Sequence, residues 1–247
     1  AEETIKREVG DNSARVAQIG PAGEKLVRFA AVLNDVRHAA GRCGMGAVMG
    51  SKNLRAVVVR GHTPLQIADP EKVRSFAMWF ADAYMDLSRG LYDLGTSDGV
   101  IPINRTGGLP TRNFREGVFE GAAKISGERM RDTMLVDRAG CFACPIRCKR
   151  VVEVKEPYEV SPIYGGPEYE TIGALGSNCG VDDLAAIAKA NELCNAYGLD
   201  TISTGVTVAF AMDCFENGLI SEKETGGLKL SFGNAEAMVK LVEMIGK

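Results

Sequence analysis

The 247-residue chain predicts an α+β fold, a short β-rich part followed by a mostly α-helical one. Three observations point there. The two clearest strand-type runs lie before residue 62, while segments with helix periodicity and readable caps dominate afterwards. Between them, RGHTPLQ at 60–66 marks a change of character, which gives expected domains of 1–62 and 63–247.

In chain order, ARVAQIG (14–20) alternates apolar and polar residues and reads as a strand. PAGEKLVRFAAVLND (21–35) places Leu26, Val27, Ala30 and Leu33 at helical spacing, with strand as the other reading of its middle. AAGRCGMGAVMGSKN (39–53) carries Gly41, Gly44, Gly46 and Gly50, so the backbone there turns sharply or approaches something closely. LRAVVVRG (54–61) is a β-branched run closed by glycine, a buried strand.

DPEKVRSFAMWFADAYMDLSRG (69–90) enters a helix at Asp-Pro and leaves it at Gly90, with Phe76, Trp79, Phe80 and Tyr84 as its apolar face. Residues 95–127 read as mostly loop with short elements, and SGERMRDTML (126–135) as a helix capped by Ser126. VVEVKEPYEV (151–160) is a hairpin arm or an exposed strand. DDLAAIAKANELCNAYG (182–198) opens on an aspartate cap and closes at Gly198, with Leu184, Ile187, Ala188 and Asn191 along one face. Further helices are expected over Gly205–Asn217 and in NAEAMVKLVEMIGK, which runs to the last residue.

Composition narrows the function classes. The chain is 45% hydrophobic and 25% charged with a net charge of −3, the balance of a soluble globular protein. Near-neutrality argues against nucleic acid or an anionic membrane surface as partner. No apolar run approaches the ~20 residues of a membrane span, and AEETIKREVG lacks the apolar segment of a signal peptide. Cytoplasm is the expected location. The absent initial methionine and the helix at the last residue predict part of a longer chain.

Seven cysteines include three in GCFACPIRCKR (140–150), Cys141, Cys144 and Cys148. A tight turn can aim three thiolates at one corner of an iron–sulfur cluster. Zinc is the other reading, although it usually takes two paired knuckles and the only histidines, His38 and His62, are distant in sequence. Pro145 stiffens the loop, and Arg147, Lys149 and Arg150 offset cluster charge. A fourth ligand could be Cys179, Cys194 or Cys214, or lie beyond Lys247.

The glycine stretch is neither a P-loop nor a true GxGxxG. Its backbone could face a phosphate or a cation, with Arg42 and Lys52 adding charge, or it could be a structural turn. In GGPEYET (165–171), Glu168 and Glu170 are either solvated loop residues or a general acid or base. Asp200 in YGLDTISTG reads as a helix cap, or as an acceptor for a heterocycle's amino groups.

IGPAGEKLVRFA, GRCGMGAVMGSKNLRAVVVRG, LPTRNFREG, CFACPIRC, GGPEYETIGALGSNCGVDDL and NELCNAYGLDTIST, in this order, resemble the tungsten-containing aldehyde:ferredoxin oxidoreductase family. The resemblance implies the end of a β-rich pterin-binding domain followed by a helical domain carrying an iron–sulfur loop. It implies that Cys141, Cys144 and Cys148 ligate a [4Fe-4S] cluster whose fourth cysteine comes from a later segment. Arg42, Cys43 and Gly44 would meet the pterin phosphates and a bridging magnesium, and Asn195, Gly198, Leu199 and Asp200 the pterin itself. Glu170 matches the family's active-site glutamate, with Glu168 as fallback and Tyr169 and Thr201 nearby. Two positions depart from the pattern: Asn195 replaces an aspartate, and Cys43 stands where glycine is common.

The implied reaction is oxidation of an aldehyde to a carboxylic acid at a tungsten (or molybdenum) bis-pterin centre. The cluster would pass electrons singly to ferredoxin or a similar carrier. The remaining domains of the same enzyme are implied partners, in a homo- or hetero-oligomer, and the 247 residues alone are expected to be inactive. Two rivals stand beside this reading. One is a relative reducing an aromatic acyl-CoA in a multi-subunit complex. The other is a non-catalytic iron–sulfur electron-transfer module.

Overall fold

The computed structural model describes residues 2–247 and has an α+β architecture. Helix α1 (Glu2–Val9) precedes strand β1 (Arg15–Ile19). A single turn, α2 (Pro21–Glu24), follows, and then β2 (Val32–Asn34), β3 (His38–Ala39), α3 (Met45–Ser51) and β4 (Ala56–Val59). The four strands form one antiparallel sheet in the order β3-β2-β1-β4. Its register pairs Ile19 with Val32 and Arg15 with Val59.

Two parts of this region differ from the sequence expectation. The helix anticipated over 21–35 stops after α2, because Leu26 turns left-handed at φ 61° and the apolar residues beyond it feed β2. Strand β4 is an edge, and its Val57 and Val59 are exposed rather than buried.

Helix α4 (Pro70–Leu94) starts where Asp69 accepts the Lys72 amide at 2.9 Å. It runs past Gly90, with a kink at Ser88 (φ −142°), and stops at Gly95. Its aromatic face does not enter the core: Phe76 is 63% and Trp79 52% exposed, and the two rings stack 5.2 Å apart on each other. A 3-10 turn over Gly95–Gly99 leads into α5 (Val100–Arg105), and Ser126 caps α6 (Gly127–Thr133) through the Arg129 amide.

Strands β5 (Leu135–Ala139) and β6 (Lys149–Val152) then form an antiparallel hairpin closed by the Ala139–Lys149 pair. The cysteine stretch is therefore the loop of a hairpin, and β6 is its buried arm. A helical turn, α7 (Tyr169–Thr171), passes into a π-turn over Ile172–Gly176. Helix α8 (Leu184–Tyr197) is capped by Asp183 and ends at left-handed Gly198. Helix α9 (Thr201–Glu216) begins four residues ahead of expectation because Asp200 caps it, and α10 (Ala235–Gly246) follows. No helix among the described residues is long and apolar enough to cross a membrane.

Leu109, Phe119, Ile125, Met130, Ile172, Leu175, Ile187, Met212 and Met238 make a single fully buried core in the helical part. Each such side chain contributes about 1.5–3 kcal/mol. The sheet part is joined to this core through backbone. Ala31 donates to the Gly198 carbonyl at 2.7 Å and Asp200 to the Phe29 carbonyl at 3.1 Å, a small antiparallel ladder around Ala30 and Leu199.

Candidate functional site

A cavity of about 270 Å³ opens at that ladder. It is walled by residues from four stretches: Gly41 and Arg42, Lys149 and Arg150 of the cysteine hairpin, Glu168, and Asn195 with Leu199–Thr201. The glycines of 39–53 divide into two uses. Gly44, Gly46 and Gly50 lie so close to the backbone of 23–31 that a Cβ on any of them would collide with it. Gly41, at φ 80°, meets nothing within 4 Å and faces open space. The segment is thus a packing helix, α3, preceded by an open turn, and the turn carries Arg42.

Arg42 reaches across the ladder. Its Nε donates to Asp200 Oδ2 at 2.8 Å and its Nη2 to Ser203 Oγ at 3.0 Å, while Ser203 Oγ donates to the same carboxylate oxygen at 2.5 Å. Asp200 Oδ1 accepts the Ile202 amide at 2.9 Å, so one buried carboxylate caps α9 and anchors the arginine. The hydrogen bond to Asp200 and its negative charge raise the Arg42 pKa still further, with Glu170 contributing from nearby. Cys43 adopts φ 73°, the left-handed region that glycine enters freely and cysteine does not. Asn195 Nδ2 donates to the Tyr164 carbonyl at 2.9 Å, and the Thr171 and Thr201 hydroxyls share a hydrogen bond of 2.8 Å.

The cysteine hairpin lies against this cavity. Cys141 is exposed, and Cys144 and Cys148 are half-buried. Burial pushes the Cys148 thiol pKa up, and the negative charge of Glu168, Cys141 and Cys144 pushes it further, so the three sulfurs stand within each other's field. Among the described residues no three Cys, His, Asp or Glu side chains close around one point.

Arg150 fastens the loop. It is 3% exposed, and its guanidinium donates to the carbonyls of Cys148, Arg147, Asp93 and Tyr92 at 2.8–3.2 Å. Lys149 Nζ sits 2.7 Å from His38 Nδ1, and burial together with the charge of Lys149 and Arg37 lowers the His38 pKa. Cys179 and Cys194 are buried as neutral thiols, Cys194 pushed up to about 12 by burial, which leaves Cys214 as the half-accessible thiol outside the loop and the exposed Cys43.

The PEYET segment stands between two spaces. Glu168 lines the cavity just described and also a second cleft of about 570 Å³, shared with Tyr169 and Glu170. Glu168 Oε2 accepts the Thr96 hydroxyl at 2.5 Å, and Thr96 Oγ1 accepts the Tyr169 amide at 2.9 Å. Glu170 is exposed. Burial, then the Glu170 charge, raises the Tyr169 phenol pKa.

The family model described as "Aldehyde ferredoxin oxidoreductase, N-terminal domain" matches residues 1–61, and that for "domains 2 & 3" matches 77–247. The chain belongs to the aldehyde ferredoxin oxidoreductase family. It is 46% identical over 255 residues to a tungsten-containing aldehyde ferredoxin oxidoreductase of Pyrococcus abyssi, covering 100% of this chain and 41% of that protein. A Thermococcus kodakarensis protein of the same name is 45% identical over 99% of this chain and 40% of its own length. An aliphatic sulfonate oxidoreductase, WOR-like subunit, of Pyrococcus furiosus is 32% identical over 92% of this chain and 36% of its own length. The chain thus spans about two-fifths of the curated relatives it matches. The solved active-site complex BamBC of benzoyl coenzyme A reductase, bound to 1,5 dienoyl-CoA, shares the fold. Its TM-score is 0.72 at 23% identity, over 97% of this chain and 37% of that one.

The residues suit the groups this family implies. Arg37, Arg42, Lys149 and Arg150 line a cavity small enough to concentrate their charge, as a phosphate-bearing cofactor needs. Thiolates at one hairpin loop are the donor set of an iron–sulfur cluster. The motifs pass over two residues that position the rest, Ser203 and Thr96, and show Arg150 only as countercharge. Ser203, three residues into α9 from its aspartate cap, was the one with a sequence signal.

Proposed function

We propose that this chain forms the cofactor-holding centre of an enzyme that oxidises aldehydes to carboxylic acids. The balance is RCHO + H2O → RCOOH + 2 H+ + 2 electrons. The observation that carries the reading is the meeting of Arg42, Glu168 and Asp200, from three distant motifs, on one cavity beside the cysteine hairpin. A tungsten (or molybdenum) bis-pterin centre, when bound, accepts the electron pair.

Around it the chain's own groups have separable tasks. Arg42, held by Asp200, and the open turn at Gly41 would receive the pterin phosphates and a magnesium ion. Asn195, Leu199 and Asp200 line the side of the cavity that would face the pterin, and Gly198, the left-handed end of α8, makes the turn that presents them. Glu170 is the base that takes a proton from the hydrated aldehyde, near Tyr169 and Thr201; Glu168, half-buried and fixed by Thr96, is the alternative base. Cys141, Cys144 and Cys148 would ligate the [4Fe-4S] cluster, which when bound would supply one-electron transfer to ferredoxin or a similar carrier. Unpaired cysteines throughout suit a reducing cytoplasm.

Anaerobic purification of the full-length protein tests this reading, with iron, tungsten and molybdenum counted and aldehyde-dependent reduction of a viologen dye measured. About four irons and one tungsten per chain, with dye reduction, are expected. Iron without tungsten or molybdenum would reduce the protein to an electron-transfer module. Turnover of an aromatic acyl-CoA in place of aldehydes would move it to the reductase branch.

A further inference from the structure

We propose that the second cleft at Glu168 receives the substrate's side chain and selects uncharged, apolar aldehydes over anionic ones. This rests on the aldehyde-oxidation reading above and assigns its specificity. The cleft, about 570 Å³, forms where the end of α4, the 95–99 turn and α5 meet the PEYET segment. Leu91, Ile103 and the Tyr169 ring supply apolar wall. Its depth depends on Gly99. A Cβ there would sit 3.2 Å from Ile103 Cδ1 and 3.6 Å from Tyr169 Cδ2, in the gap between them.

Charge gives the second half of the selectivity. Asp98, Glu168 and Glu170 line the cleft, and among the described residues no lysine, arginine or histidine does. A neutral alkyl or aryl group gains from leaving water there. A carboxylate, sulfonate or phosphate tail meets only like charge. The cation-lined cavity and the more apolar, anion-lined cleft share Glu168 as a wall. The wall thus places a carboxylate where an aldehyde carbon can lie between cofactor and side-chain pocket.

Gly99 makes the test clean, because its φ of −69° is open to any residue and the nearest atom is a flexible side-chain tip. In the full-length enzyme, kcat/KM is measured for acetaldehyde, hexanal and succinic semialdehyde. Wild type favours hexanal over the anionic aldehyde. Gly99→Leu lowers the hexanal-to-acetaldehyde ratio about 10-fold, and Asp98→Asn raises succinic semialdehyde relative to hexanal about 3-fold. Gly99→Ala gives a smaller shift of the same sign and replaces the leucine variant if that one loses its metals. Ratios unmoved in metal-replete variants overturn the cleft while leaving aldehyde oxidation in place. A wild-type enzyme that oxidises none of the three overturns both.

Discussion

The glycine segment at 41–53 and the hairpin that carries the cysteine loop (140–148) border the same cavity, yet the segment and the loop are held by opposite means. The first is seated by backbone against backbone. The Cβ positions of Gly44 and Gly50 fall 2.1 and 2.0 Å from the carbonyl oxygens of Arg28 and Gly23, so no side chain fits at either place. The second has little packing of its own: Phe142 at its tip is 96% exposed, and Ala143 and Arg147 take left-handed φ values of 55° and 49°. It hangs on arginines: Arg147 ties it to the Arg138 carbonyl and to Asp137 of β5, and Arg150 gathers four carbonyls. A close-packed turn keeps its shape with or without a ligand. A loop hung on hydrogen bonds can let its thiols close around a cluster.

The largest expected break in this contrast is Gly44→Ala. The new methyl meets the Arg28 carbonyl, and the residue must also hold φ 71°, so destabilisation of about 3 kcal/mol or more is expected by chemical denaturation. An unchanged midpoint would mean the packing is looser than the structure has it. Arg150→Met comes next. Four part-buried carbonyls lose this donor, that of Tyr92 keeping Arg138, with a loss of about 2–3 kcal/mol and less iron per chain. Arg150→Lys should recover little of either, since one ammonium cannot span carbonyls from two segments. Full iron content in the methionine variant would show that the cluster, not the arginine, shapes the loop. The smallest effect is a gain: Cys43→Gly relieves φ 73° and stabilises by about 1 kcal/mol, read as a raised Tm. A fall in Tm would assign the cysteine a packing role.

Where local chemistry decides an element, the sequence already shows it. Asp183 and Gly198 bound α8, and Ser126 and Asp69 open their helices by the amides they accept. Where distant contacts decide, reading by period fails. Gly90 looks like a stop, but α4 continues through it with the Asp98 carboxylate packed against its bare α-carbon. The glycines of α3 look like a turn because their close backbone neighbours lie some twenty residues earlier. Of the candidate site, Arg42, Glu168, Asn195, Leu199, Asp200 and Thr201 do share one cavity, while Tyr169 and Glu170 face the adjoining cleft. Arg150 reads as countercharge in the sequence. Only the folded hairpin reveals it as the loop's fastening.

The ladder between Phe29–Ala31 and Gly198–Asp200 also constrains assembly. Arg42 and Asp200, which face each other beside it, are 158 positions apart along the chain. Closing so wide a loop is a late event in folding, because its entropy is lost before the contacts are gained. Until it closes, the cavity has only one of its two sides. On the proposed function, cofactor capture would wait for that join, since a chain stalled before it holds only part of the lining.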